Sequence, residues 1–341
     1  MSRNRGTASG LSVVAVSPQT GTELPPEVVA VVNPGLSLVP AASSDFVVLQ
    51  HEFGIYGPDD GIAVLDILDH LAAPSLVVLH TVLSDPSRRQ REIVEGMALR
   101  AQSLVVMSEA ARSRLEADYD LHGCPVATIP HGSWLSDRPR SVPRSRPIVL
   151  TWGLLGPGKG LEQGIRALAN LRHLDNTPLY VIAGQTHPNV LRGEGERYRR
   201  QLADLAVDLG VDKMVRFINR YLTSADLASL RGLADVCLLP YESREQVTSG
   251  ALVEAIGAGV PVVATKFPHA VELLGSGAGR LVGHDDPVGI AEAIELYLTD
   301  PRAVAIASAA IDRVRPSLSW LTVAERYESL MVGVGVTAGA A

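Results

Sequence analysis

Short runs of β-branched and aliphatic residues recur along this chain, and stretches of helical composition separate most of them. Continuous apolar strands that alternate with helices are typical of parallel sheets covered on both faces. The predicted strands are residues 11–16, 28–32, 46–50, 76–79, 104–107 and 126–129, followed by 148–151, 179–183, 215–218, 236–239, 262–265 and 280–282. The pattern therefore predicts an α/β protein.

A segment rich in Pro, Ser and Arg separates the two series of strands, between Ser133 and Pro147. Such a composition marks a linker between domains. A length of 341 residues also suits about two domains rather than one core. We therefore predict two doubly wound domains joined near residue 140.

Charge and cysteine content exclude several classes of protein. The formal net charge is −7, so no basic field favours a nucleic-acid partner. The two cysteines, Cys124 and Cys237, are too few for a disulfide framework and lack zinc-site spacing. No apolar run is long enough to cross a bilayer, and the polar start is unlike a signal peptide. A cytoplasmic protein is expected.

Polar residues follow the predicted strands in both halves. His51, His80 and His131 each come directly after a strand of the first half. In the second half, polar loops follow three of the predicted strands, at residues 153–160, 184–188 and 241–250. Ligands of open α/β sheets bind outside the carboxyl ends of the strands. Loops are polar in general, but this pattern favours two sheet edges that face each other across a cleft.

The loop from Gly153 to Gly160 has the G-x-x-x-x-G-K spacing of a phosphate-binding P-loop. Gly160 stands where Ser or Thr should bind Mg²⁺, and Pro157 removes one backbone donor. A nucleoside-triphosphate hydrolase is therefore disfavoured. What remains is a flexible turn that holds Lys159 at a helix start. The chain has 3 Lys against 27 Arg, which favours an anion-binding role for this lysine over that of an ordinary loop residue.

The second informative segment surrounds the start of another predicted helix. Thr248 and Ser249 are typical N-cap residues, and Gly250 would let a phosphate approach the first free N–H groups. Glu254 lies about one helical turn further on, within reach of a hydroxylated ligand. A solvated helix carboxylate is the alternative, but its sequence neighbours are apolar.

These motifs resemble a known family over nearly the whole chain. Residues 147–300 are similar to the donor half of retaining family-4 glycosyltransferases with the GT-B fold, through Gly-x₅-Lys-Gly, the Gly184 loop and Gly-x₃-Glu-Ala followed by Gly-Val-Pro-Val-Val-Ala-Thr. The first half resembles the acceptor domain of one bacterial branch, through Gln-His-Glu-Phe-Gly-Ile-Tyr-Gly, Leu-His-Thr-Val-Leu and Ile-Pro-His-Gly. A closing helix from Trp320 matches the segment that returns to the first domain. The resemblance implies an acceptor-side Rossmann-like domain of residues 1–140 plus 317–333 and a donor-binding domain of residues 145–316.

The resemblance also implies a function and a site. It implies transfer of a sugar from a nucleoside diphosphate sugar, the co-substrate, to an acceptor, with retention and with no metal or other cofactor. Lys159 would contact the donor diphosphate, Glu254 the ribose hydroxyls, and His80 would lie beside the transferred sugar. The implied donor-binding residues are Gly153, Gly158, Gly184, Gln246, Thr248, Ser249, Gly250, Ala251 and Leu252. The implied acceptor-side residues are His51, Glu52, Tyr56 and His131.

The acceptor stays open between a glycan, a lipid and a small molecule, and peripheral membrane contact is compatible with all three. A zinc site of His51, His80 and His131 is an alternative, disfavoured because histidines from separate strands rarely converge.

Two departures from the family pattern keep other functions open. Leu154 stands where the family usually has an arginine, and Gln246 replaces the first of two paired glutamates unless a one-residue shift brings in Glu245. A non-catalytic or truncated sugar-nucleotide-binding protein is therefore the main alternative. A sugar-nucleotide epimerase on the same fold is a weaker one.

The beginning of the chain departs from the family as well. Members open with a strand, a glycine-rich loop and a helix, whereas only ten largely polar residues precede Leu11 here. Residues 11–16 align better with the family's second strand. A missing central strand would leave buried backbone groups unpaired, at about 1–3 kcal/mol each. We therefore expect an N-terminally shortened first domain that is poorly stable or weakly active alone.

Overall fold

The structure is a computed structural model, and it describes residues 13–16, 46–136 and 145–338. The chain divides into two compact units, Met1–Pro130 with Val323–Ala341 and His131–Thr322. The sequence placed the two domain boundaries near residues 140 and 317, whereas the units change at residues 131 and 323.

The first unit contains a parallel sheet in the order β1-β2-β3-β4-β5. Its strands are β1 (Val13–Val16), β2 (Phe46–His51), β3 (Ser75–Leu79), β4 (Ser103–Val106) and β5 (Val126–Thr128). Helices α1 (Ala63–Asp69), α2 (Arg88–Ala98) and α3 (Glu109–Asp118) lie between them. Every residue of β3 and β4 is buried, as expected where helices cover both faces of a parallel sheet.

Strand β1 pairs with β2, from Val13 opposite Phe46 to Val16 opposite Leu49. In the doubly wound order 3-2-1-4-5-6, the first strand neighbours the first strand of the other half. In the described sheet β1 borders β2, and the alignment of residues 11–16 with the family's second strand stays a prediction. The predicted strand at residues 28–32 lies outside the described residues.

The second unit contains a six-stranded parallel sheet in the order β11-β10-β9-β6-β7-β8. Its strands are β6 (Ile148–Trp152), β7 (Leu179–Ala183), β8 (Val215–Ile218), β9 (Val236–Leu239), β10 (Val262–Thr265) and β11 (Gly279–Val282). The remaining helices are α4 (Leu161–Asn170), α5 (Pro188–Glu194), α6 (Arg197–Asp208), α7 (Ser224–Leu233), α8 (Gly250–Gly257), α9 (Pro268–Leu274), α10 (Pro287–Thr299), α11 (Pro301–Val314) and α12 (Trp320–Ala338), the last of which continues into the first unit. None of the helices in the described ranges has the length and apolar character needed to cross a membrane.

The order of strands reverses at β6, which pairs with β7 on one side and β9 on the other. Two apolar clusters cover the faces of this sheet, one around Tyr180 and Ile165 and the other around Phe267 and Ile256. Ligands bind such folds outside the carboxyl ends of the strands at the reversal point. The loops that follow β6 and β9 therefore occupy the expected position of a site.

Gly160 makes the closest backbone contact between these two loops. Its φ is +61°, and a β-carbon there would lie 1.8 Å from the carbonyl oxygen of Pro240. Gly158 in the same loop has a φ of +89°, but a β-carbon there would meet no atom within 4 Å. A substitution at Gly158 would therefore add backbone strain alone, whereas one at Gly160 would add strain and a steric collision.

We predict that Gly160→Ala lowers the free energy of unfolding by about 3 kcal/mol, because left-handed strain is added to a backbone collision. Gly158→Ala should cost only about 1–2 kcal/mol, the strain alone. Urea unfolding of both variants measures the difference. Equal losses would contradict the close approach of Gly160 to Pro240.

Candidate functional site

Two loops of the second unit meet at the point where the sheet order reverses. Residues 153–160 follow β6, and residues 240–249 follow β9. The Glu242 N–H donates to the Gly158 carbonyl at 3.0 Å, which ties the two loops together. Gly184, after β7, packs against the same loop, since a β-carbon there would lie 1.9 Å from the Gly153 carbonyl oxygen. At residue 184 only glycine fits this approach.

Lys159 extends over the ring of Tyr241, with its Nζ 4.6 Å from the ring centroid. The lysine side chain is half-buried, and this burial lowers the pKa of its ammonium group. Within the part of the chain that the structure describes, Lys159 forms no ion pair. A desolvated cation that rests on an aromatic ring without a counter-ion is suited to binding an anion.

Tyr241 links this lysine to the start of α8. Burial raises the pKa of the Tyr241 phenol to about 12, against the opposing effect of a hydrogen bond with the Ser249 side chain. Ser249 is the N-cap of α8, and its Oγ accepts from the Leu252 N–H at 3.2 Å. The first N–H groups of a helix have no partner within the helix and carry its positive dipole end. The Tyr241 side chain therefore contacts both the Lys159 ammonium and the N-cap residue of α8.

His269 holds the N-cap residue of α8, Ser249, through a hydrogen bond. The Ser249 N–H donates to His269 Nδ1 at 2.9 Å, and the imidazole is buried. Burial, with a smaller contribution from His131, lowers the pKa of His269 to about 4. The ring is therefore neutral near pH 7, with its Nδ1 lone pair available to the N–H. Sequence reasoning missed His269, although it follows β10 at the same edge of the sheet as the predicted residues.

Glu254 is not a solvated carboxylate. Its Oε2 accepts from Arg231 NH1 at 2.5 Å and from the Trp152 indole N–H at 3.2 Å. The Arg231 guanidinium carbon lies 5.7 Å from the Trp152 ring centroid. Neither Arg231 nor Trp152 was identified from the sequence, because no local motif connects α7 and β6 to α8.

Gln246 and Thr248, two of the predicted donor-binding residues before α8, have different surroundings. Gln246 uses its side-chain amide to donate to the Thr248 carbonyl at 2.9 Å. The Thr248 Oγ1 is buried and has no hydrogen-bond partner among the described residues. Glu245 is exposed. Which of Gln246 and Glu245 faces a sugar stays a prediction.

His131 lies in the second unit, beside the start of helix α8. Its Nδ1 lies 2.7 Å from the Gly132 carbonyl, and its ring packs against Trp320 with 5.6 Å between centroids. A β-carbon on Gly250 would lie 3.3 Å from His131 Nε2. From the sequence, His131 was expected among the acceptor-side histidines of the first domain, but it belongs to the second unit, beside Gly250.

Four residues predicted to be acceptor-side or catalytic lie in the first unit, at the ends of β2 and β3. His80 Nε2 lies 2.7 Å from the Gln50 Oε1, and the Tyr56 hydroxyl donates to the Gln50 carbonyl at 2.6 Å. Glu52 accepts from the Thr81 hydroxyl at 2.7 Å. His51 is fully buried against the rings of Phe53 and Tyr56, and burial together with the charge of His80 lowers its pKa to about 4. Neither of its ring nitrogens has a partner within the described ranges.

A zinc site has no support in the geometry. Across residues 13–16, 46–136 and 145–338, no group of three or more His, Cys, Asp or Glu side chains is arranged to hold a metal ion.

Two parallel sheets, the second of which reverses its strand order beside the Lys159 loop, define an α/β protein. Residues 134–313, more than half of the chain, match the family model described as glycosyl transferases group 1. The chain belongs to this family, and its GT-B fold class, predicted from the sequence, is confirmed.

Two curated relatives are glycosyltransferases of Corynebacterium kroppenstedtii and Mycolicibacterium smegmatis. The chain is 29% identical over 263 residues to a D-inositol 3-phosphate glycosyltransferase of Corynebacterium kroppenstedtii, which covers 72% of this chain and 56% of the relative. It is 31% identical over 199 residues to a GDP-mannose-dependent alpha-(1-6)-phosphatidylinositol monomannoside mannosyltransferase of Mycolicibacterium smegmatis, over 55% and 48% of the two chains. The chain thus spans about half the length of these relatives.

Solved structures share the fold. Anabaena HepE in complex with UDP-glucose has a TM-score of 0.70 at 19% identity, covering 87% of this chain and 80% of its own. Sucrose-phosphate synthase from Thermosynechococcus elongatus has a TM-score of 0.69 at 17% identity, covering 92% and 82%.

We predict that His269 makes the fold sensitive to acid. The unfolded chain takes up a proton near pH 6.5, whereas the folded imidazole does so only near pH 4. Stability is therefore full above pH 6.5 and falls between pH 6.5 and 4, by on the order of 3 kcal/mol for this one group. His269→Asn keeps an acceptor for the Ser249 N–H and removes the titration. Its unfolding free energy, measured by urea titration from pH 7 to 4, should fall less steeply than that of the wild type. Parallel curves would contradict the burial of a neutral His269.

Proposed function

We propose that this chain transfers a sugar from a nucleoside diphosphate sugar to an acceptor, with retention of configuration and without a metal ion. The observation that carries the proposal is the proximity of the Lys159 ammonium to the α8 N-terminus, joined through Tyr241 and Ser249. An anion there meets a full positive charge and the free N–H groups of the first turn. These are the groups that stabilise a departing diphosphate.

The remaining donor contacts follow from the direction of α8. Glu254 lies one turn from the expected phosphate position, where it can accept hydrogen bonds from ribose hydroxyls. The family membership and a relative described as GDP-mannose-dependent support a nucleotide sugar as donor. HepE was solved with UDP-glucose, so both UDP and GDP sugars are donor candidates.

The first unit supplies the acceptor side of the proposal. His80, oriented by Gln50, would position the transferred sugar, and Glu52 and Tyr56 would meet the acceptor beside His51. Relatives are described by inositol-containing acceptors, namely D-inositol 3-phosphate and a phosphatidylinositol mannoside. An acceptor screen therefore begins with inositol phosphates and inositol glycolipids.

One observation favours the rival, a nucleotide-sugar-binding protein without turnover. Leu154 is 39% exposed in the loop where the family usually has an arginine, so one diphosphate cation is absent from that position. The two functions are separated by measuring donor binding, donor hydrolysis and transfer with UDP and GDP sugars. Binding without hydrolysis or transfer, across the acceptor screen, favours the rival. Proton NMR of the product anomer tests retention.

We predict that Lys159→Ala weakens donor binding by about ten- to a hundredfold, since a charge-assisted bond to phosphate contributes roughly 1.5–3 kcal/mol. Lys213→Ala is the matched control, because Lys213 is exposed in a turn before β8. Isothermal titration calorimetry with UDP and GDP measures both. Equal affinity in the two variants would remove Lys159 from the site.

We predict that Glu254→Gln and His80→Ala act on different kinetic constants. Ribose binding contributes equally in the ground and transition states, so Glu254→Gln should raise KM with little change in kcat. His80→Ala should lower kcat, because its proposed contact is with the transferred sugar. Steady-state kinetics with varied donor measures both constants. A His80→Ala variant with raised KM and wild-type kcat would contradict its role.

A further inference from the structure

Glu254 has two distinct sides in the structure. Its Oε2 is held by Arg231 at 2.5 Å and by the Trp152 indole N–H at 3.2 Å. Its Oε1 has no hydrogen-bond partner among the described residues. The Glu254 side chain is 31% exposed, whereas that of Arg231 is only 11% exposed. The arginine is therefore more deeply buried than the carboxylate it binds, and Oε1 is the carboxylate oxygen that is left for a ligand.

Burying the Arg231 guanidinium at this position costs desolvation free energy. Its Nε is buried without a partner in the described part of the chain, and its charge is compensated by Glu254. Replacing a buried ion pair with apolar residues is often neutral or stabilising, so stability alone is a weak reason for such a pair. The guanidinium also lies over the ring of Trp152, whose indole N–H donates the second hydrogen bond to Glu254 Oε2. Arg231 and Trp152 therefore contact each other and both bind the Glu254 carboxylate.

We propose that Arg231 is a positioning residue for nucleotide recognition. Resting on the proposed donor-binding function, Arg231 and Trp152 together fix Oε2 and so hold Oε1 toward the ribose hydroxyls. Without them the carboxylate would rotate freely, and the ribose would have to immobilise it on binding. Lysine would replace the charge but not the planar donor that lies over the indole ring.

The experiment compares a ribonucleotide with its 2′-deoxy counterpart, because only an effect that acts through the ribose changes their ratio. Affinities for UDP, dUDP, GDP and dGDP are measured by calorimetry on the full chain. The variants are Arg231→Gln, Arg231→Lys, Trp152→Phe and Glu254→Gln. Arg112→Gln is the matched control, because it removes an exposed arginine–carboxylate pair, with Glu116, on α3 of the first unit.

We expect the wild type to bind the better ribonucleotide about tenfold more tightly than its deoxy form. Arg231→Gln should reduce this ratio to about two- to threefold, and Arg231→Lys and Trp152→Phe should give intermediate ratios. In the Glu254→Gln background, Arg231→Gln should change the ratio no further. Arg112→Gln should leave it unchanged.

Three results would overturn the inference. If Glu254→Gln lowers the ratio and Arg231→Gln does not, the proposed donor site stands and Arg231 has no part in it. If Arg231→Gln weakens UDP and dUDP equally, with the thermal midpoint unchanged, Arg231 acts on the diphosphate directly. If the wild type binds no nucleoside diphosphate, or ignores the ribose hydroxyl, the donor-site proposal fails together with this one.

Discussion

The contact between Gly160 and the Pro240 carbonyl is the constraint on which the candidate site depends. A side chain at residue 160 would hold the loop after β6 away from the segment after β9. With glycine there, the Gly158 carbonyl and the Glu242 N–H meet, and Lys159 comes over the ring of Tyr241. The reversal of strand order at β6 brings the two loops to the same edge. The strand order therefore determines where the site lies, and Gly160 allows the two loops to come into contact there.

Electrostatics then explain why this place suits an anion. Burial lowers the pKa of Lys159, which means that the protein environment alone disfavours its charge. The α8 N-terminus adds partial positive charge nearby, with Ser249 held by a neutral, buried His269. A bound diphosphate would relieve both effects, because it supplies the counter-charge for Lys159 and accepts from the helix N–H groups. Further along α8, Glu254 is paired with its own cation, Arg231, and forms no ion pair with Lys159.

Much of this arrangement could be predicted from the sequence, since it rests on local patterns. Apolar runs indicated the strands, and the glycine loop and N-cap residues indicated Lys159 and Ser249 as neighbours of a ligand. His269, Arg231 and Tyr241 were missed as supporting residues because their contacts join distant segments, 20 residues apart for Ser249 and His269 and 23 for Arg231 and Glu254. His131 was grouped with the first domain because it follows a first-domain strand, whereas its packing against Gly250 and Trp320 belongs to the second unit. The pairing of β1 with β2 could not be predicted either, because an apolar run does not encode the partner of a strand.

The most direct test of the central claim is a crystal structure of the chain with UDP or GDP bound. The β-phosphate should lie within hydrogen-bond distance of Lys159 Nζ and of an N–H group in the first turn of α8. A nucleotide bound elsewhere, or one whose diphosphate contacts neither Lys159 nor α8, would contradict the site.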